Sequence, residues 1–273
     1  MSDRYAVIGN PISQSKSPTI HHRFAQALGQ TLTYERVLVE PDALAFTLDQ
    51  MRAEGLGGVN VTVPFKLDAL AYATHASASA TLCGAANALK FDGERVWAEN
   101  FDGVGLVRDV VINLGREVRG RRVLVLGAGG ATRGILWPLL EQQPECLVVA
   151  NRSANKAREL AALAQDHGRV RGCGFEELEP QSFDLIFNAT SASLSNEGLP
   201  VTPKVFAPES LAYDLAYGKG LTPFLRQAKE SGVQGVVDGV GMLVEQAAET
   251  FAWWRGTRPP THDVIRELTV ALT

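Results

Sequence analysis

Short strand-like runs alternate with amphipathic stretches along this chain. Tyr5–Ile8, Thr33–Val39, Val59–Val63, Val123–Leu126, Leu147–Ala150 and Phe183–Asn188 have the length and content of strands. Helical spacing follows over Pro18–Leu28, Leu44–Arg52, the region near Leu67–Tyr72, and Ala131–Leu140. Ser17 is expected at the N-cap of the first helix, with proline at its first turn. Ala88–Phe91 and Arg95–Ala98, joined across Asp92-Gly93, predict a hairpin. Gly105–Leu114 predicts an amphipathic helix. Two more are predicted near the end, Val244–Trp254 and Val264–Leu272, with a break at Pro259-Pro260. Alternation of this kind predicts an α/β protein with mostly parallel sheets covered by helices.

The pattern also divides the chain. A loop over Gly115–Arg122 precedes a βαβ unit that begins at Val123, and the glycine-rich stretch Val233–Gly241 closes that region. The last two helices have no strand of their own, so they are expected to return to the amino-terminal half. This predicts a discontinuous first domain, 1–102 with 239–273, and a second domain, 103–238.

Composition narrows the classes. A length of 273 residues allows two domains, and 45% hydrophobic with 21% charged residues is ordinary for a soluble globular protein. The net charge of −4 argues against nucleic acid as the main partner. No run of 18 or more apolar residues occurs, so no membrane span is expected, and the first residues read as a strand and not as a signal peptide. Three scattered cysteines fit reduced thiols and a cytoplasmic setting. Neither they nor the five histidines have ligand spacing, so no metal site is expected.

Gly127-Ala128-Gly129-Gly130-Ala131-Thr132 follows a predicted strand and opens a predicted helix. A bound diphosphate needs that order: a glycine for the tight turn, a glycine for close backbone approach, then helix N–H groups facing the anion. Thr132 stands where the usual fingerprint has its third glycine. Asn151-Arg152-Ser153 lies at the end of the next strand. An NAD site places an acidic residue there; this chain has Arg152, with Lys156 and Arg158 close behind. Arginine pairs well with a 2′-phosphate, so the expected dinucleotide is NADP.

Polar residues also gather where amino-terminal strands end. Ser15 and Ser17 follow the first strand, and Thr62 and Lys66 flank the end of the third. Asn87 and Asp102 stand in Gly84-Ala-Ala-Asn87 and Asn100-Phe-Asp102-Gly103. In an open parallel sheet, ligands collect beyond the carboxyl ends of strands. An ammonium such as Lys66 can donate the proton that an alkoxide needs after hydride transfer, and a carboxylate such as Asp102 can orient it.

Taken together, these motifs resemble the shikimate dehydrogenase family over nearly the whole chain. The matching segments include Ser-x-Ser-Pro, Asn-Val-Thr-x-Pro-x-Lys, Gly-Ala-x-Asn and Asn-x-Asp-Gly. They continue with Gly-Ala-Gly-Gly-Ala, Asn-Arg-Ser, Asn188-Ala-Thr-Ser191 and Asp238-Gly-x-Gly-Met-Leu-Val-x-Gln246. The resemblance implies an open, mostly parallel α/β substrate domain and a Rossmann-type doubly wound NADP-binding domain. It implies reversible, NADP-dependent reduction of 3-dehydroshikimate to shikimate, a step of aromatic amino-acid biosynthesis.

By the same resemblance, Lys66 and Asp102 are the catalytic pair. Ser15 and Ser17 hold the substrate carboxylate; Thr62, Asn87 and Gln246 hold its hydroxyls or nearby groups, and Tyr217 lines the carboxylate side. Gly127, Ala128, Gly129, Gly130, Ala131 and Thr132 grip the pyrophosphate. Asn151, Arg152, Ser153 and Lys156 meet the adenosine 2′-phosphate end, and Thr190, Leu215, Gly239 and Met242 border the ribose and nicotinamide. Phe101 departs from the family pattern, which usually has threonine, and Ala88 replaces another common threonine. Competing readings are a quinate/shikimate dehydrogenase using NAD, a catalytically silent NADP-binding sensor, and a folate-type dehydrogenase with a similar two-domain plan. The partner is a small molecule; oligomeric state, a homodimer included, is left open by the sequence.

Overall fold

In a computed structural model, residues 3–178, 181–192 and 198–272 are described. The chain forms two compact units, 1–105 with 244–264 and 106–243 with 265–273.

Unit 1 is built on a six-stranded sheet. Its strands are β1 (Arg4–Gly9), β2 (Thr33–Leu38), β3 (Gly58–Val61), β4 (His75–Ala76), β5 (Ala88–Asp92) and β6 (Arg95–Glu99). Their order is β2-β1-β3-β5-β6-β4. The first three are parallel; β5 runs antiparallel to β3 and forms the predicted hairpin with β6. Three of the helices matter for the site: α1 (Ser17–Ala27), α3 (Lys66–Tyr72) and α5 (Asp102–Arg108), with α2 (Leu44–Ala53) and α4 (Ala78–Cys83) between them. One core cluster joins Ile8, Leu48, Val59, Phe65 and Leu89, all fully or almost fully buried. Burying such side chains is worth roughly 1.5–3 kcal/mol each, which fixes the strand ends that carry the polar residues.

Unit 2 is built on an all-parallel six-stranded sheet: β7 (Arg122–Leu126), β8 (Cys146–Asn151), β9 (Val170–Gly174), β10 (Leu185–Asn188), β11 (Leu211–Asp214) and β12 (Gly235–Val237). The order β12-β11-β10-β7-β8-β9 is the doubly wound Rossmann arrangement, with its reversal between β7 and β10. Strands β7 and β10 are buried along nearly their whole length, which is why they read as continuous apolar runs. Helices α6 (Gly130–Glu141), α7 (Ala154–Ala164) and α8 (Pro223–Glu230) pack in this unit. A Cβ on Gly172 would come within 2.1 Å of the Ala157 carbonyl, so the glycine lets α7 lie directly on β9.

Several expectations change. Ser17 is the first helical residue and not the cap; the Ser15 hydroxyl accepts its N–H at 3.3 Å instead. The unit boundaries fall inside helices, because α5 and α9 (Val240–Arg255) run through them without a break. The last helix, α10 (His262–Leu268), is shorter than predicted. Residues 265–273 group with unit 2 and not with the amino-terminal half; Lys229 Nζ donates to the Leu272 carbonyl at 2.8 Å, and Leu272 packs on that unit's core.

Candidate active site

The polar residues of unit 1 come together for a topological reason. Strands β1 and β3 end at Gly9 and Val61, while the antiparallel hairpin returns its own open end to the same edge. Asn60 pairs with Ala88, and Ala88 with Glu99. Helix α3 starts from that edge at Lys66, and α5 at Asp102. Helix starts favour a carboxylate, which suits Asp102.

Lys66 Nζ donates to Asp102 Oδ2 at 2.5 Å. The pair is only partly solvated, with the lysine side chain 29% and the aspartate side chain 13% exposed. Asn87 holds the other carboxylate oxygen: its Nδ2 donates to Asp102 Oδ1 at 2.8 Å and to Gln246 Oε1 at 3.2 Å. The Asn87 Oδ1 accepts the Phe101 N–H, and the Asn100 Oδ1 accepts the Asp102 N–H. Asp102 is therefore fixed through backbone and side chain alike. Nearby Cys83 is buried, and desolvation followed by the Asp102 charge pushes its thiol up to about 12, which makes it inert.

A second polar line leads from the serines. Ser15 Oγ donates to Ser17 Oγ at 3.2 Å. Tyr34, buried, donates to Asn60 Oδ1 at 2.7 Å, and Asn60 Nδ2 donates to the Asn87 carbonyl. Burial, opposed by a hydrogen bond from Ser17, pushes the Tyr34 hydroxyl well above its ordinary range. Thr62 lies just past β3, its N–H donating to the Ile8 carbonyl. The structure thus brings Lys66, Asp102, Asn87 and Gln246 into one hydrogen-bonded group and Ser15 with Ser17 into another. It places Tyr217 in unit 2, where burial raises its hydroxyl pKa. Tyr34, Asn60 and Asn100 were not singled out as site residues. The available signal was a polar residue inside or at the end of a buried strand.

In unit 2, β7 ends in the glycine turn. Gly127 adopts φ +108, a left-handed conformation, and a Cβ there would meet the Ala189 backbone at 3.1 Å. A Cβ on Gly129 or Gly130 would meet no protein atom within 4 Å, so that side of the turn is open. The first N–H groups of α6 lack intrahelical acceptors and suit an anion there. Thr132 points the other way. Its side chain is fully buried and its hydroxyl donates to the Gly127 carbonyl at 2.9 Å, so the side chain braces the turn.

Arg152, Ser153 and Lys156 are exposed just past β8, and Asn151 Nδ2 donates to the Ser153 carbonyl. Arg158 is engaged elsewhere: its Nη2 reaches both carboxylate oxygens of Glu177, at 2.6 and 2.8 Å. Among the described residues, Arg152 and Lys156 have no ion pair, which leaves two cations for a phosphate. At the carboxyl ends of β10 and β11, Asn188 and Asp214 are fully buried. Asn188 Oδ1 accepts the Thr190 N–H and hydroxyl, and its Nδ2 donates to Asp214 Oδ1. The Leu215 N–H donates to the Asn188 carbonyl, and the Gly239 N–H to the Ala216 carbonyl. These residues fit an NADP molecule: an open glycine turn, unpaired cations beyond β8 and no acidic residue there.

A doubly wound nucleotide fold with an ammonium–carboxylate pair on a second α/β unit defines the class, an NADP-dependent oxidoreductase acting on an alcohol or ketone. Three family profiles match the chain. The shikimate dehydrogenase substrate binding domain covers residues 7–89, the shikimate/quinate 5-dehydrogenase profile 110–197, and the shikimate 5'-dehydrogenase C-terminal domain 239–269. The shikimate dehydrogenase (NADP(+)) of Dechloromonas aromatica (strain RCB) is 52% identical over 272 residues, covering 100% of this chain and 99% of its own. That of Chromobacterium violaceum is 50% identical over 268 residues, covering 98% of each. Among solved structures, an Ael1 enzyme from Pseudomonas putida has 55% identity and a TM-score of 0.95, with 100% of both chains covered. Shikimate 5-dehydrogenase from Thermus thermophilus, solved with NADP(H) and shikimate, has 32% identity and a TM-score of 0.85, with 98% of this chain and 100% of that one covered. The chain belongs to the shikimate dehydrogenase family.

Proposed function

We propose that the protein is an NADP-dependent shikimate dehydrogenase that reduces 3-dehydroshikimate to shikimate, reversibly, in aromatic amino-acid biosynthesis. The observation that carries this reading is the Lys66–Asp102 pair, held at 2.5 Å and braced by Asn87 and Gln246. Ser15 and Ser17 bind the substrate carboxylate. Thr62, Asn87 and Gln246 meet its hydroxyls. Bound NADPH supplies a hydride to the ketone carbon. Lys66 Nζ then gives its proton to the carbonyl oxygen, and in the oxidation it takes that proton back. Asp102 keeps the ammonium aimed, and Asn87 keeps Asp102 aimed.

The cofactor is held by the backbone of residues 127–131, with Thr132 bracing the turn. Arg152 and Lys156 meet its 2′-phosphate, with Asn151 and Ser153 beside them. Thr190, Leu215, Gly239 and Met242 line the ribose and nicotinamide end. Cytoplasmic residence fits the free cysteines and a structure in which no described helix is long and apolar enough to cross a membrane. A homodimer is left to solution measurement.

The test follows absorbance of the reduced nicotinamide with shikimate and NADP⁺ beside quinate and NAD⁺. Faster turnover of 3-dehydroshikimate with NADH than with NADPH would reject the cofactor assignment. No turnover of either acid would reject the activity.

A further inference from the structure

The start of helix α9 is clamped by a buried group that the proposed reaction does not use. Four N–H groups open any helix without intrahelical partners. Here the Met242 N–H donates to the Tyr213 hydroxyl at 3.1 Å, and the Val240 N–H to Asp238 Oδ1 at 3.3 Å. The Tyr213 hydroxyl in turn donates to Asp109 Oδ2 at 2.8 Å. Tyr213 is fully buried and Asp109 is 2% exposed. The carboxylate also presses on the backbone, since a Cβ on Gly241 would lie 2.0 Å from Asp109 Oδ1. Only glycine fits between the carboxylate and the chain at that point.

Asp109 itself is delivered by an irregular turn. After α5 the backbone widens over Asp109–Asn113, where the Leu114 N–H bonds the Asp109 carbonyl five residues back. Such wide turns interrupt the ordinary ladder and recur at functional sites. Asn113 Nδ2 then donates to Asp109 Oδ1 at 2.9 Å, holding the carboxylate toward Tyr213. Asp109, Tyr213 and Met242 all lie in unit 2, so the whole clamp is internal to it.

We propose that Tyr213 and Asp109 are positioning residues for the nicotinamide end of the NADP site, setting the Gly239–Met242 turn at its working height. The inference rests on the reading that unit 2 holds NADP with Gly239 and Met242 at the nicotinamide. Its mark is selectivity along the cofactor: the clamp acts on the reactive end and not on the 2′-phosphate end at Arg152.

The experiment compares two ligands on Tyr213→Phe. One is NADP⁺. The other is adenosine 2′,5′-bisphosphate, which carries the 2′-phosphate end and no nicotinamide. Of the two hydrogen bonds the hydroxyl makes, loss of the one that holds the Met242 N–H predicts about three- to tenfold weaker NADP⁺ binding and a fall in kcat, with the bisphosphate affinity unchanged. Asp109→Ala should act in the same direction, and Asp109→Asn, which retains an acceptor for the tyrosine, should recover most of the NADP⁺ affinity. Equal losses for both ligands would overturn the proposal, as would parent-like NADP⁺ binding and turnover in Tyr213→Phe. Failure of the unmodified protein to bind NADP⁺ at all would strike the underlying functional reading instead.

Discussion

Replacing Lys66 with methionine separates chemistry from stability. The substitution keeps the length and bulk of the stem and removes the ammonium that donates to Asp102 Oδ2. If that ammonium is the proton donor, turnover should fall by roughly 10²–10⁴. At about 1.4 kcal/mol per factor of ten, this is a loss of about 3–6 kcal/mol in transition-state stabilisation. Stability should change far less. The lysine side chain is 29% exposed, so solvent already screens the pair. Asp102 also retains the Asn87 amide at 2.8 Å, so no bare buried charge results. A cost of about 1–2 kcal/mol is reasonable, between a surface and a buried pair. The assay is NADPH oxidation with 3-dehydroshikimate, run with NADP⁺ affinity and a thermal melt. Cofactor affinity should hold, because the glycine turn belongs to the other unit. Near-normal turnover in Lys66→Met would refute the proton-donor role, and collapse of the melt would refute the claim that the pair is mainly functional.

Arg152→Ala should lower the NADPH-over-NADH preference in kcat/KM by about ten- to a hundredfold, the worth of one charge-assisted hydrogen bond; an unchanged ratio in paired assays would exclude it from phosphate recognition. Gly127→Ala forces a side chain onto a φ of +108 and against the Ala189 backbone, so it should cost about 1–2 kcal/mol, read by urea denaturation. His21 is fully buried, and desolvation pushes its imidazole down to about 3 from the ordinary 6.5. Its folded pKa is lowered, so the unfolded chain binds the extra proton between these values. The stability His21 contributes is therefore fully present above about pH 6.5 and declines by about 1.4 kcal/mol per unit as pH falls toward 3. A His21→Leu variant should show a flatter acid limb in melting temperature against pH.

The βαβ core of unit 2 was legible because β7, β8 and β10 are buried on both faces and read as unbroken apolar runs. Strands β9 and β12 were not. Val170-Arg-Gly-Cys-Gly carries two glycines and an arginine, and Gly235–Val237 has three residues at a sheet edge. Their pairing is decided by close packing, such as α7 on Gly172, which no local pattern announces. At the site, Lys66 and Asp102 are unremarkable one at a time, and only their joint motif marked them. Tyr34 was hidden because a tyrosine in a strand reads as packing. Its hydroxyl acquires a role through Asn60, a neighbour 26 positions away. Thr132 was assigned to the ligand by its place in the turn, whereas its fully buried side chain faces the Gly127 carbonyl.

The grip of Glu177 on Arg158 has a consequence for the choice of reductant. With that guanidinium held in an exposed ion pair, the proposed recognition of the extra phosphate rests on Arg152 and Lys156, both standing in water. At cellular ionic strength, charges in solvent are screened over about 8 Å. On that proposal, discrimination between the two nicotinamide currencies is a property of protein and salt together and should weaken as salt is raised.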